Sequence, residues 1–288
     1  MEPYKIYDFE DEKAWLKGRL NGIGGSDASA VVGKNPYKTN IELFEEKTGR
    51  RFAPDISEKP YVIYGKEAEQ FIRELFRLDY PQYQVTHHEF RILQSLEYPF
   101  MQASLDGELV DQDGRKGILE IKTTNILQSM QYEKWKDRIP DNYYIQILHY
   151  LLVTGYEFVV LRAHLRSNWG TDVRTQVKHY FIERAEVQAD LDYLQDEEMK
   201  FWKYVESGNL KKKEERMELR ITNPQESWLT EQILWNNEEL KAAIAEKVKD
   251  YKTIAYTEDS LKDMKADRAD LNKLKKAFED ERKRVKKI

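Results

Sequence analysis

Two short stretches of this chain, Ser104-Leu105-Asp106-Gly107 and Ile118-Leu119-Glu120-Ile121-Lys122, carry the residue types that metal-assisted hydrolysis needs. Side chains alternate across a strand, so Glu120 and Lys122 project to one face and Ile121 to the other. If residues 101–110 pair as a hairpin with residues 117–122, Asp106 comes beside Glu120, with Asp113-Gly114 in the turn between them. Two carboxylates brought together repel each other unless a cation compensates. Mg²⁺ suits such a pair because it takes oxygen ligands and keeps several waters for substrate phosphates. A lysine one pleat away polarises or orients an attacking water and stabilises charge developing on a phosphate. An isolated Glu-x-Lys is equally an ordinary surface strand. The acidic residue fourteen positions upstream, in an Asp-Gly step, sets this one apart.

The elements that must position these residues follow from periodicity. Asn21-Gly-Ile-Gly-Gly-Ser-Asp27 reads as a permissive loop ahead of a short apolar run, residues 28–32. Thr39 with Glu42 fits a capping box opening a helix that stops at Gly49. Residues 65–78 are helical by period, with Ala68, Ile72, Leu75 and Phe76 on one side. Strand-like segments follow at 85–93, 101–110 and 117–122, then a helix over 142–153 ended by Gly155. Strands at 158–166 and 175–182 precede a long helix over 185–205. This order predicts a mixed α/β, or α+β, core: a central mixed sheet flanked by helices.

After Gly208 the character changes. A charge run at 211–216 and Asn223-Pro224 lead into two helical stretches with thin apolar stripes. Leu261, Met264, Leu271, Leu274 and Phe278 make the second stripe, and the basic segment 282–287 lies near the end. We read residues 1–208 as the catalytic domain and 209–288 as a helical C-terminal extension. That extension either docks on a protein or subunit, tracks DNA phosphates, or is a solvated tail.

Composition narrows the classes. The 288 residues are 40% hydrophobic and 34% charged, enough for a buried core, with a mean hydropathy of -0.79. No apolar run approaches the roughly 20 residues of a membrane-spanning helix, and Met1-Glu2-Pro3-Tyr4 lacks the basic-then-apolar order of a secretory signal. A reducing cytoplasm is the natural setting. There is no cysteine, which excludes disulfides, thiolate zinc sites and an iron–sulfur nuclease. The net charge of -5 argues mildly against a simple nucleic-acid binder, but an acidic metal site beside a basic groove satisfies the same total.

Asp106…Glu120-Ile121-Lys122 resembles the PD-(D/E)xK nuclease signature, with Leu105 standing where the name has proline. Three further motifs resemble the lambda-exonuclease-like (YqaJ-type) phage recombination exonucleases: Arg19 with Ser26 seven residues on, Gly65-Lys-Glu-Ala-Glu69, and Tyr144-Ile-Gln146 through Tyr150 to Gly155. Order and spacing agree from about residue 15 to residue 205. The resemblance implies a restriction-endonuclease-like core with Asp106, Glu120, Glu69 and the Ile121 carbonyl as metal ligands. Two Mg²⁺ ions per site are implied, with Mn²⁺ a possible substitute. It makes Lys122 the water-orienting base or charge stabiliser and places Gln146 near the metal-bound water or scissile phosphate. Arg19 and Ser26 become a clamp for DNA phosphate, since backbone N–H groups at a helix start favour anions and arginine grips phosphate oxygens. Read without the resemblance, Ser26 merely caps a helix and Gln146 is one polar residue on an apolar face. Glu67, two residues from Glu69, faces elsewhere on a helix.

The implied activity is 5′→3′ degradation of duplex DNA ends, leaving 3′ single strands for recombination. The implied assembly is a homotrimer, with a single-strand annealing protein as possible partner and a phage or prophage gene expressed in the bacterial cytoplasm. Two alternatives stand beside it: an endonuclease of repair or restriction type, and a non-catalytic DNA-binding or assembly module. His87-His88 alternate across a strand and cannot chelate one ion together, and His149 and His164 have no zinc spacing. Trp135, Trp169 and Tyr143 stack either on DNA ends or in the core.

Overall fold

The strand Lys116–Ile126 lies at the centre of a five-stranded sheet. The computed structural model describes residues 2–126, 129–136, 138–169 and 172–208. All lie in the first of two compact units of the chain, Met1–Asn223. In chain order the elements are β1 (Tyr4–Asp8), α1 (Glu12–Arg19), α2 (Gly25–Val31), α3 (Asn40–Lys47), α4 (Pro60–Asp79), β2 (Gln84–Thr86), β3 (Arg91–Ser95), β4 (Gln102–Ala103), β5 (Gly107–Val110), β6 (Lys116–Ile126), α5 (Ser129–Glu133), α6 (Asp141–Thr154), β7 (Phe158–Trp169), β8 (Asp172–Glu183) and α7 (Gln188–Ser207). Five strands form a mixed sheet in the order β2-β5-β6-β7-β8, and a smaller sheet is ordered β1-β3-β4. Only β6 and β7 run parallel in the large sheet. Parallel neighbours need a crossover, which α6 supplies.

The period of two on β6 decides which layer each side chain joins. Leu119 and Ile121 share a cluster with Phe158 and Val160 of β7 and with Ile72 and Phe76 of α4. Ile118 instead packs with Val159, Leu161 and Ala163 of β7 and with the apolar residues of α2, α6 and α7. A buried ion pair crosses the second layer. His149 Nδ1 lies 2.8 Å from Glu198 Oε1 on α7, and its Nε2 lies 2.9 Å from the Gln102 carbonyl. Burial works against the imidazolium, but Glu198 outweighs it and raises the His149 pKa.

Local chemistry set several boundaries as expected. Thr39 Oγ1 accepts from the Glu42 N–H and Glu42 Oε2 from the Thr39 N–H, opening α3, and Gly49 beyond its end has φ +70°. Gly155 closes α6 at φ +66° and Gly114 turns β5 into β6 at φ +80°.

Other boundaries moved. The stretch 85–93 is not one strand: Phe90 takes φ 55°, and the pieces join different sheets as β2 and β3. Likewise 101–110 breaks into β4 and β5, leaving Asp106 in the gap. Helix α4 begins at Pro60, which has no N–H to lose at a first turn, and Leu75 is 46% exposed rather than buried with Ile72 and Phe76. The glycine-rich loop is already helical from Gly25, and the N-terminal residues Tyr4–Asp8 form a strand, β1, in the small sheet.

Candidate functional site

The β5–β6 ladder pairs Gly107 with Leu119. One further step in the same register sets Asp106 against Glu120, in the short connection between β4 and β5. Asp106 Oδ2 accepts the Ile121 N–H at 2.8 Å, so the strand that carries Glu120 also orients Asp106. Ile121 thus enters through its backbone, while its side chain is buried toward α4.

Glu120 is fully buried, and Lys122 Nζ lies 2.5 Å from its Oε1. Apart from that ammonium, no donor among the described residues meets either Glu120 oxygen. A buried carboxylate without donors is costly unless a cation neutralises it. Burial first, and then the Asp106 charge, push the Glu120 pKa up. Burial opposes a charge on Lys122, but Glu120 and Asp106 outweigh it and raise the lysine pKa, so the ammonium stays protonated.

Glu69 reaches the same carboxylates from α4. Burial, followed by the Asp106 charge, raises its pKa to about 7. Arg73, one turn later and 6% exposed, donates from Nη1 to Glu69 Oε1 at 3.0 Å and also to the Asp106 carbonyl. Glu67 points to solvent, as expected of it. Gly65 lets the helix approach the strand, for a Cβ there would lie 3.3 Å from Thr123 Oγ1.

Gln146 is buried on α6 and its Nε2 donates to the Tyr150 hydroxyl at 2.9 Å. Burial, then Glu120 and Asp106, raise the Tyr150 pKa, which places this pair at the carboxylates. Gly25 opens α2 directly against it: a Cβ there would overlap the Tyr150 ring and sit 2.9 Å from Gln146 Cγ. The next residue is Ser26, whose Oγ accepts from Arg19 Nη2 at 3.3 Å. The Arg19 guanidinium lies 4.7 Å from the Trp15 ring centroid, and Trp15 Nε1 donates to Ser104 Oγ, two residues before Asp106. Arg19 and Ser26 are therefore a formed pair, linked to the carboxylates on two sides. Lys47 is paired with Asp27 at 2.8 Å, and Lys38 with Glu46 at 2.5 Å and Asp27 at 3.5 Å.

Among the described residues no three His, Asp or Glu side chains are gathered closely enough to hold an ion. The donor chemistry nevertheless fits a hard divalent cation: oxygen donors only, one fully buried carboxylate met by the Lys122 ammonium alone, and a second whose pKa is raised by burial and then by Asp106. Glu120 is engaged by the Lys122 ammonium, which holds the place of positive charge.

Three residues of this constellation escaped the sequence reading: Arg73, Tyr150 and Trp15. Arg73 had a signal, being four residues from Glu69 on a helix. Tyr150 had none apart from the motif around Gln146. Of the other residues weighed, Trp135 is 2% exposed and stacks on Tyr143 at 5.4 Å, a packing role. His149 is the buried ion pair, and Arg162 Nε donates to His164 Nε2 at 3.2 Å.

Residues 14–157, a span that holds every residue of the candidate site, match the family model of the YqaJ-like viral recombinase domain. The chain belongs to this family. Over 145 residues, 50% of the chain, it is 36% identical to the uncharacterized protein YqaJ of Bacillus subtilis (strain 168), and it spans 43% of that relative's length. Its fold is similar to that of the crystal structure of an alkaline exonuclease, LHK-Exo, from Laribacter hongkongensis, with a TM-score of 0.52 and 18% identity, over 68% of this chain and 93% of the other. The same exonuclease in complex with dAMP aligns over the same shares at a TM-score of 0.52 and 19% identity. These two likenesses are of fold, and they agree with the mixed sheet between helices expected of a YqaJ-like domain. A second family model, for a family of unknown function (DUF1351), matches residues 227–288, which lie outside the described residues.

Proposed function

We propose that this YqaJ-like chain is a divalent-metal-dependent deoxyribonuclease. It would degrade the 5′-ended strand of duplex DNA ends in the 5′→3′ direction, leaving 3′ single strands for recombination. The observation that carries the reading is Asp106 set against Glu120 with Lys122 one pleat on. Clustered carboxylates with a buried lysine cost stability, and a module without chemistry has no use for them. Asp106, Glu120, Glu69 and the Ile121 carbonyl would hold the ions, two Mg²⁺ or Mn²⁺ in their place. Such ions supply an activated water and neutralise charge on the phosphate. Lys122, kept protonated by its neighbours, serves better as a charge stabiliser than as a base. Gln146, held by Tyr150, would orient the water or scissile phosphate, and Arg19 with Ser26 would take the terminal 5′ phosphate.

By the same reading the protein acts as a homotrimer in the cytoplasm of a phage-bearing bacterium and can hand its product to a single-strand annealing protein. No helix among the described residues is long and apolar enough to cross a membrane. The test uses linear duplexes labelled at the 5′ or 3′ end, and closed circular DNA, each with Mg²⁺ or chelator. Early release of the 5′ label from linear DNA only, abolished by chelator, supports the proposal. Cutting of closed circles would assign an endonuclease, and no cleavage of any substrate would leave a binding module.

A further inference from the structure

Arg73 is one of three buried residues of α4, with the apolar Ile72 and Phe76. Charged side chains are rarely buried unless paired, and Arg73 is paired twice through one nitrogen. Its Nη1 donates to Glu69 Oε1 on its own helix and to the backbone carbonyl of Asp106 on another element. Asp106 precedes the β5–β6 ladder, which begins at Gly107, so strand pairing does not hold it. Its carboxylate is tied to the Ile121 N–H and its carbonyl to Arg73. With both ends held, Asp106 cannot swing away from Glu120. Arg73 also divides Glu69: Oε1 is engaged, while Oε2 accepts no hydrogen bond among the described residues, and the side chain is 31% exposed.

We propose that Arg73 is a positioning residue for the metal-binding carboxylates, fixing the Asp106 turn against α4 and leaving Glu69 one oxygen to offer a divalent cation. The inference rests on the reading of the site as a divalent-metal centre. Two effects oppose each other here. A guanidinium beside a cation site repels the cation, but its charge is already met by Glu69 at 3.0 Å. Groups that orient ligating carboxylates are typically worth about 10–100-fold in metal affinity. Positioning therefore outweighs repulsion, and removing Arg73 weakens binding.

The test measures uptake of Mn²⁺ alone by the intact chain, without DNA, from the electron paramagnetic resonance signal of free Mn²⁺. Arg73→Gln is expected to bind at least about tenfold more weakly than wild type. Arg73→Lys, which keeps the charge but not the fork, is expected to fall between the two with an unchanged thermal transition. Binding by Arg73→Gln as tight as wild type, or tighter, would overturn the proposal. Should that variant fail to fold, wild-type affinity in Arg73→Lys overturns it instead. Asp106→Asn separates the two readings. If wild type takes up no Mn²⁺, or Asp106→Asn binds it equally well, the metal centre itself is wrong. If only the Arg73 variants bind normally, the centre stands and the role of Arg73 falls.

Discussion

At the scale of single residues, the site is three carboxylates and two cations, and their charges set the behaviour. Asp106→Asn can still accept the Ile121 N–H, and Glu120→Gln keeps the shape of the buried side chain. Both remove the charge of a proposed ligand, so each is expected to lower cleavage by at least about 100-fold while DNA binding and the circular dichroism spectrum persist. Lys122→Ala is expected to do the same, and wild-type rates in Glu120→Gln would remove Glu120 from the chemistry. The raised pKa of Glu69 gives the pH dependence. In the unfolded chain it ionises near its ordinary 4.5, whereas in the folded chain it keeps its proton to about 7, facing Asp106, Glu120, Arg73 and Lys122. Between those values the folded state holds a proton that the unfolded state has lost. Its contribution to metal-free stability is thus full below about 4.5 and declines as pH rises to about 7. A carboxylate that is to bind the ion must shed its proton, so Mn²⁺ affinity should climb over the same window and, because the Glu120 carboxyl is raised to about 8, level off only above that. Calorimetric titrations from pH 5 to 8.5 check this, and a flat profile would separate Glu69 from the metal. Arg19 bears on the substrate end. Arg19→Ala should erase a preference for 5′-phosphorylated over 5′-hydroxyl ends in single-turnover assays, and equal wild-type rates on both ends would take the clamp out of the reading.

Elements matter through how closely they approach. The N-terminus of α2 meets α6 with no room for a methyl group, because Tyr150 and Gln146 occupy it. Gly25→Ala must therefore displace α2, and Ser26 with it, or push the Tyr150 and Gln146 side chains from their places. Its cleavage rate is expected to fall by at least about tenfold while its urea midpoint drops modestly, as for overpacking costs of about 1–3 kcal/mol. A normal rate would show that α2 need not touch α6 for chemistry. The capping box of α3 was legible at this scale because it involves only residues three apart. The division of 85–93 and 101–110 was not. Whether a strand continues or changes sheets depends on which partners are available, and Phe90 at φ 55° is a price that only the assembled pair of sheets explains.

For the whole molecule, the YqaJ-like match covers residues 14–157 and the described structure ends at Gly208, while the extension from 209 carries a separate family match at 227–288. Every residue of the candidate site precedes that extension. A chain ending near Gly208 is expected to keep metal-dependent phosphodiesterase activity and to lose a partner contact or oligomer stability, since thin apolar stripes gain little by folding alone. Sedimentation together with a nuclease assay decides it. A folded truncation that still assembles as a trimer but cuts nothing would make the extension part of the active site. Should the full chain sediment as a monomer at all concentrations tested, the homotrimer is wrong.

The sequence alone determined that Glu120 and Lys122 share one face of β6, because alternation along a strand fixes that whatever surrounds them. It also determined the local punctuation, Thr39 with Glu42 and the glycines after α3 and α6, since those rules act over a few residues. Asp106 could be nominated from its spacing, but its seat one step beyond the ladder, where the chain passes from one sheet to the other, depends on long-range register. The tertiary structure alone decided that Arg73 is buried between Glu69 and Asp106 and that Tyr150 closes the site against Gly25. Those contacts join residues 33 and more than 100 positions apart, and no periodicity within one element encodes a distance across the fold.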